Sequence, residues 1–276
     1  MTEYAKYLRL EKFPLIWCPG CGDGIVLKAI LRAIDNIGLN KDEICMVSGI
    51  GCSSRTTGYV DVNTLHTTHG RALTFATGVK MARPDLNVIV VTGDGDGTAI
   101  GGNHFIHAAR RNIDLTVVLY NNWIYGMTGG QVSPATPVGK KASTAVLGSF
   151  EPNFDIVALA SGAGATFVAR ETVARPVVLE RLIEKAIRKK GFSLVEVMTP
   201  CPTTFGRRNK AGDAVEMVGF LKEHSVPLAR AGTLTAEQRD EAIVTGVFVD
   251  VDRPEYTEQY ARLVEKCGGR PAARAV

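Results

Sequence analysis

The run VTGDGDGTAIGG, residues 91–102, places Asp94 and Asp96 in a glycine-rich turn at the end of an apolar stretch. Glycine turns that follow strands cradle phosphate through backbone amides. Two carboxylates in such a turn would repel a bare diphosphate, so the chemistry calls for a divalent cation between acid and anion. Asn121-Asn122 follows 27 to 28 positions after Asp94, about one βαβ unit, which sets two oxygen donors at neighbouring strand ends. The turn meets neither the G-x-G-x-x-G dinucleotide pattern nor the G-K-[ST] of a P-loop. The plainer alternative is a turn whose glycines only let strand and helix pack closely, with Asn122 a turn residue.

Sulfur forms the second constellation. Cys18-Pro-Gly-Cys21 and Cys52, in GIGCSSR, supply three thiols, and a tetrahedral zinc or an iron–sulfur cube needs four. Cys45 sits inside EICMV, where a cysteine reads as a small buried apolar residue. Cys267, in EKCGG, has no turn chemistry linking it to the others. Cys201 follows a strand in TPCPTT, at an end where the other loops converge. On spacing alone zinc and iron–sulfur stand level. His66 and His69, in LHTTHGRA, have the spacing of a helical metal pair, but Gly70 and the threonines suggest a turn entering a helix. His66, His104 and His107 read as packed or solvated side chains.

These groups need a scaffold, and apolar patterning supplies one. Residues 24–37, 70–83 and 99–112 have helical spacing; 44–49, LNVIVVTG and IDLTVVLYNN read as strands, nearly continuous in apolar character as in parallel sheets buried on both faces. A loop rich in Gly, Pro, Ser and Thr runs from Tyr125 to Phe150, and further helix and strand signals end in FSLVEVMTPCPTT. The alternation predicts an α/β fold with a doubly wound parallel sheet, whose ligands bind outside the carboxyl ends of the strands. Residues 1–202 are expected to form the binding domain. Residues 203–276, more polar and weakly periodic, read as a less regular extension on the core or a partner.

Composition narrows the function classes. The 276 residues are 45% hydrophobic and 22% charged, enough for one large domain. A net charge of +4, spread along the chain, does not indicate nucleic acid, and a basic face for an acidic protein partner stays open. No apolar run approaches a membrane span and no leader is evident, so a cytoplasmic protein is expected. Six cysteines in a reducing compartment then point to metal or redox chemistry rather than disulfides.

The pairing of GDG with NN, reinforced by YGMTGGQ, resembles the thiamine diphosphate motif. With WCPGCG, GIGCSSR and TPCPTT, the chain resembles the beta subunits of 2-oxoacid:ferredoxin oxidoreductases, most closely the 2-oxoglutarate type, over roughly residues 15–205, with weaker support in EHSVPL. The resemblance implies the thiamine diphosphate-binding variety of the fold. It makes Asp94, Asn122 and the main-chain carbonyl of Ile124 the ligands of Mg²⁺. Gly95 and Asp96 would lie on the diphosphate side, with amides of residues 97–101 donating to the anion. His69 would donate to a diphosphate oxygen, and Ile50, Gly51, Cys52, Ser53, Gly126 and Met127 match cofactor contacts. Cys18, Cys21, Cys52 and Cys201 would hold one [4Fe-4S] cluster.

The implied activity is coenzyme A-dependent oxidative decarboxylation of a 2-oxoacid, or its reversal, with electrons passing to ferredoxin. Arg55 matches a basic residue facing substrate; its plainer reading is a solvated arginine at a helix start. The glutamate that activates the cofactor would reside on a pyrimidine-binding domain of an alpha subunit, implying an (αβ)₂ assembly. Pyruvate or a branched-chain 2-oxoacid remains an alternative substrate. A non-redox thiamine decarboxylase or carboligase and a zinc-stabilised partner-binding subunit remain alternative functions.

Overall fold

The computed structural model describes residues 3–271. Eight strands form one sheet: β1 (Ile44–Ser48), β2 (Asn63–His66), β3 (Asn87–Gly93), β4 (Leu115–Asn121), β5 (Phe167–Thr172), β6 (Phe192–Met198), β7 (Ser225–Pro227) and β8 (Ile243–Asp250). Their order is β2-β1-β3-β4-β6-β5-β8-β7. The first six pair in parallel. Every residue of β1, β4 and β6 is buried, as the continuous apolar runs predict for strands covered on both faces.

Helices cover the two faces. On one, Asp23–Ile37 presents Val26, Leu27, Ile30, Leu31 and Ile34 at helical spacing and packs beside Pro176–Arg188 against Met46, Ile89, Val91 and Val118. On the other, Ala72–Ala82, Gly102–Arg110 and Ile156–Ala163 bury Leu73, Ala76, Phe105 and Ile156 against Val47, Val90, Val117 and Leu194. This is the doubly wound arrangement expected from the sequence.

Two features depart from the sequence reading. Residues 63–66, just ahead of the anticipated turn into a helix, form the edge strand β2, whose NTLH is too short and polar to carry a periodic signal. More of the sheet also lies beyond residue 202 than the weak periodicity suggested. β8 runs antiparallel along β5, with Phe167 opposite Asp250 and Val168 opposite Val249, and β7 adds parallel to β8. β8 was hard to detect because most of its residues are only partly buried, so its apolar pattern is diluted.

Register fixes what meets at the carboxyl edge. Gly93 lies opposite Tyr120, and Asn121 opposite Met198. The residues that follow these positions, Asp94, Asn122 and the 199–201 segment, therefore emerge side by side. The crevice lies between β1 and β3, where the order reverses: the chain runs outward from β1 to β2 on one side and from β3 to β4 on the other.

Candidate functional site

At that edge a cavity of ≈ 140 Å³ opens among four loops. Ile50, Gly51, Cys52 and Ser53 reach it from the loop after β1, and His69 from the loop after β2. Asp94, Gly95 and Asp96 come from the loop after β3, and Asn122, Ile124, Gly126 and Met127 from the loop after β4. All of these were singled out from the sequence. Asp23, Tyr120, Tyr125 and Thr128 also line it.

The two aspartates behave differently. Asp94 is 3% exposed, and its Oδ2 accepts one bond, from the Ser133 hydroxyl at 2.5 Å. Burial pushes its carboxyl up to about 7 despite Ser133 and the Gly95 amide, because no cation faces it among the described residues. Asp96, expected on the diphosphate side, instead directs its carboxylate largely into the protein. Oδ1 accepts from the Ile50 amide at 3.1 Å, the Gly70 amide at 2.8 Å and His69 Nδ1 at 2.6 Å, and Oδ2 accepts from the Thr92 hydroxyl at 2.7 Å. It thereby joins the loops after β1, β2 and β3. A Cβ on Gly49 would sit 2.2 Å from Asp96 Oδ2, so glycine there is a condition of this junction.

After β4, Trp123 adopts a left-handed φ of 63°, uncommon for a bulky residue. Asn121 Oδ1 accepts from the Trp123 amide at 3.1 Å and Asn122 Oδ1 from the Ile124 amide at 3.3 Å, which hold the turn. The Tyr125 hydroxyl then donates to the Gly95 carbonyl at 2.9 Å, with its ring over Gly95 so closely that a Cβ would lie 2.3 Å from it. Nothing in the sequence marked Ser133, and Tyr125 stands out only as the head of YGMTGGQ, because their partners lie 39 and 30 residues away.

The sulfurs gather beside the same cavity. A Cβ on Gly126 would lie 3.4 Å from Cys201 Sγ and 3.6 Å from Cys52 Sγ, so both flank that residue. Trp17 Nε1 donates to the Cys52 carbonyl at 2.8 Å, tying the Cys18–Cys21 turn to the Cys52 loop. Burial and then the charge of Asp23 push the thiols of Cys21 and Cys52 up to about 12, and Cys18 adds to both shifts, Cys201 to that of Cys52. Cys45 and Cys267 are absent from this group. Among the described residues no three His, Cys, Asp or Glu side chains are close enough to hold one metal ion.

Arg55 stands exposed outside the cavity, with Nη2 3.7 Å from Met127 Sδ, and no carboxylate pairs with it among the described residues. His66 ends β2 and is exposed; Arg110 Nε donates to His107 Nδ1 at 3.4 Å. His104, partly exposed in the helix Gly102–Arg110, is not among the cavity's lining residues. No helix among the described residues is long and apolar enough to cross a membrane.

Fold and site together define an α/β protein with an acid-bearing crevice at the switch point of its sheet. The model of the thiamine pyrophosphate enzyme family's C-terminal TPP binding domain matches residues 49–197. A 2-oxoglutarate synthase subunit KorB of Methanocaldococcus jannaschii is 53% identical over 266 residues, 96% of this chain and 98% of that one. A 2-oxoglutarate oxidoreductase subunit KorB of Mycobacterium tuberculosis is 40% identical, over 91% of this chain and 71% of that one. The solved 2-oxoglutarate:ferredoxin oxidoreductase from Magnetococcus marinus, with 2-oxoglutarate, coenzyme A and succinyl-CoA bound, superposes with a TM-score of 0.87 at 34% identity, covering 98% of this chain and 92% of that one. The chain thus belongs to the thiamine pyrophosphate enzymes and, within them, to the beta subunits of the 2-oxoacid:ferredoxin oxidoreductase family that includes the 2-oxoglutarate synthases.

Proposed function

We propose that this chain is the beta subunit of an enzyme that converts 2-oxoglutarate and coenzyme A to succinyl-CoA and CO₂, or the reverse, exchanging electrons with ferredoxin. The observation that supports this reading is that Asp94, Asn122 and Ile124 line one cavity at the carboxyl edge together with Cys52, with Cys201 Sγ close beside Gly126 on the same loop. The relatives' names, and the 2-oxoglutarate and coenzyme A bound in the Magnetococcus marinus enzyme, favour this substrate over pyruvate.

The residues fit Mg²⁺ and thiamine diphosphate. Asp94, the Asn122 side-chain oxygen and the Ile124 carbonyl offer hard oxygens for Mg²⁺, and a buried carboxyl with a single hydroxyl partner suits a cation. The Ser53 hydroxyl is buried at the cavity wall without a partner, leaving a donor for a bound group. Cys18, Cys21, Cys52 and Cys201 would hold a [4Fe-4S] cluster, surrendering their protons as they ligate. When bound, thiamine diphosphate supplies the carbon nucleophile for decarboxylation and the cluster an electron exit. This chain would hold the diphosphate through Mg²⁺ on Asp94 and through His69, with residues 50–53 against the cofactor. It keeps Cys52 beside Gly51 so that cluster and cofactor share a loop, and sets Arg55 at the rim to pair with a substrate carboxylate.

A cavity of ≈ 140 Å³ is smaller than the roughly 300–1,000 Å³ of most ligand sites. An alpha subunit carrying the pyrimidine-binding domain, in an (αβ)₂ assembly, would complete it. The test is anaerobic reconstitution with that subunit, measuring iron, thiamine diphosphate and 2-oxoglutarate-dependent ferredoxin reduction. Bound cofactor without iron or ferredoxin reduction would point to a non-redox thiamine enzyme. Zinc without cofactor would point to a partner-binding subunit.

A further inference from the structure

Asp94 would be the one charged protein ligand of the proposed Mg²⁺ site, and a residue outside the cavity sets how its carboxylate lies. Ser133 Oγ donates to Asp94 Oδ2 at 2.5 Å, from 39 residues further along the chain. Both residues are buried, at 2% and 3% exposure, so water does not compete for the bond. Asp94 lines the cavity and Ser133 does not. The serine is itself fixed by the turn Ser133-Pro134-Ala135-Thr136. There the Thr136 amide donates to the Ser133 carbonyl at 3.0 Å, the Ser133 amide to Thr136 Oγ1 at 2.9 Å and the Ala135 amide to Ser133 Oγ at 3.3 Å. Ser133 Oγ thus accepts from Ala135 and gives its one proton to Asp94. The turn's other anchor is the Trp123 carbonyl, to which the Thr136 hydroxyl donates at 2.5 Å. Trp123 lies between Asn122 and Ile124, so one turn grips both loops that carry the oxygen ligands.

We propose that Ser133 is the positioning residue of the metal site: by holding Asp94 Oδ2 it presents the carboxylate to the ion in one orientation, and the site thereby favours Mg²⁺ over Ca²⁺. This rests on the reading of the cavity as the thiamine diphosphate site. Mg²⁺ demands a near-ideal octahedron of short oxygen contacts, whereas Ca²⁺ accepts about six to eight oxygens in flexible arrangements, including both oxygens of one carboxylate. A pinned carboxylate suits the smaller ion and restricts the larger. No other side chain donates to Asp94 among the described residues, so without the serine hydroxyl the carboxylate is free to turn about its own bond. That freedom harms the ion with strict geometry more than the one without it.

The experiment measures thiamine diphosphate affinity of the complex reconstituted with the alpha subunit, by calorimetry, once with Mg²⁺ and once with Ca²⁺. In Ser133→Ala the Mg²⁺-supported affinity is expected to fall about ten- to a hundredfold, the range for a lost hydrogen bond to a charged group. The Ca²⁺-supported affinity is expected to fall by less than about threefold. The readout is the ratio of the two affinities within one protein, which a general loss of folded material leaves unchanged. Thr136→Val cuts the turn's tie to Trp123 without touching Asp94, is expected to move the ratio in the same direction, and supplies the measurement if Ser133→Ala does not assemble. A wild-type ratio in Ser133→Ala, or in Thr136→Val where that variant must stand in, would overturn the proposal while leaving the cofactor reading intact. Failure of the wild-type complex to bind thiamine diphosphate with either ion would overturn the cofactor reading, and the proposal with it.

Discussion

Cys201 is buried with its Sγ 2.9 Å from the Thr204 hydroxyl, and that sulfur and Cys52 Sγ both lie close beside Gly126. Cys201→Ala is expected to lose iron and the cluster's broad visible absorption, whereas Cys45→Ala and Cys267→Ala keep both; anaerobic iron analysis checks this. Asp94→Ala is expected to reduce Mg²⁺-dependent thiamine diphosphate binding by at least about a hundredfold, since a ligand carboxylate is lost, with the circular dichroism spectrum unchanged. At Arg55, loss of a charged hydrogen bond of about 1.5–3 kcal/mol predicts a fall in kcat/KM of about ten- to a hundredfold for Arg55→Ala. A loss confined to 2-oxoglutarate, with pyruvate spared, would place the guanidinium at the distal carboxylate; equal losses would place it at C1. The sequence reading gives Asp94 to Mg²⁺ and Asp96 to the diphosphate side of the same turn, with no sign that Asp96 ties three loops together. Their division of labour appears only in three dimensions, because the donors that occupy Asp96 come from residues 50, 69, 70 and 92.

Among elements, the junction of three loops on Asp96 depends on the absence of one carbon atom. Gly49→Ala would drive a Cβ into both Asp96 oxygens, at 2.2 and 2.6 Å, and is expected to destabilise the fold by roughly 1–3 kcal/mol and to weaken cofactor binding, as measured by thermal melts and calorimetry. A second junction ties the helix Ala72–Ala82 to the start of β4. Lys80 Nζ lies 2.7 Å from Asp114 Oδ2 and donates to the Leu86 carbonyl at 2.7 Å, and Lys190 approaches the same carboxylate at 3.3 Å. Burial alone would raise the Asp114 carboxyl, but Lys80 and Lys190 outweigh it and hold it below the ordinary value of 3.8. Its contribution is therefore full above that value and lost as pH falls through the depressed one. Asp114→Asn, which strands a buried ammonium, is expected to cost about 3 kcal/mol in urea unfolding at neutral pH, with the difference shrinking in strong acid. β3 and β4 were legible because near-continuous β-branched runs have few other folded uses. β2 and β8 were not, since an edge strand and a partly buried one carry too little periodic contrast.

For the whole molecule, the proposed function puts one face of the cofactor site on this chain and the other on an alpha subunit. The isolated chain is expected to bind Mg²⁺ and thiamine diphosphate at least about tenfold more weakly than the complex, because a shallow cavity leaves part of the ligand in water; calorimetry with and without the alpha subunit measures the difference. The GDG and NN spacing points to the edge where Asp94 and Asn122 share one cavity, while nothing local indicates that residues 243–250 extend the sheet. That late completion has a consequence for biosynthesis. The ribosome finishes β5 at Thr172, but β8, which covers its open edge, begins only at Ile243. At about 5–20 residues per second, β5 waits roughly 4–14 s with its hydrogen-bonding edge bare. A nascent chain stalled in that interval offers a template for stray strands, so synonymous codon changes that slow translation between these two strands would raise aggregation without altering a single residue of the finished protein.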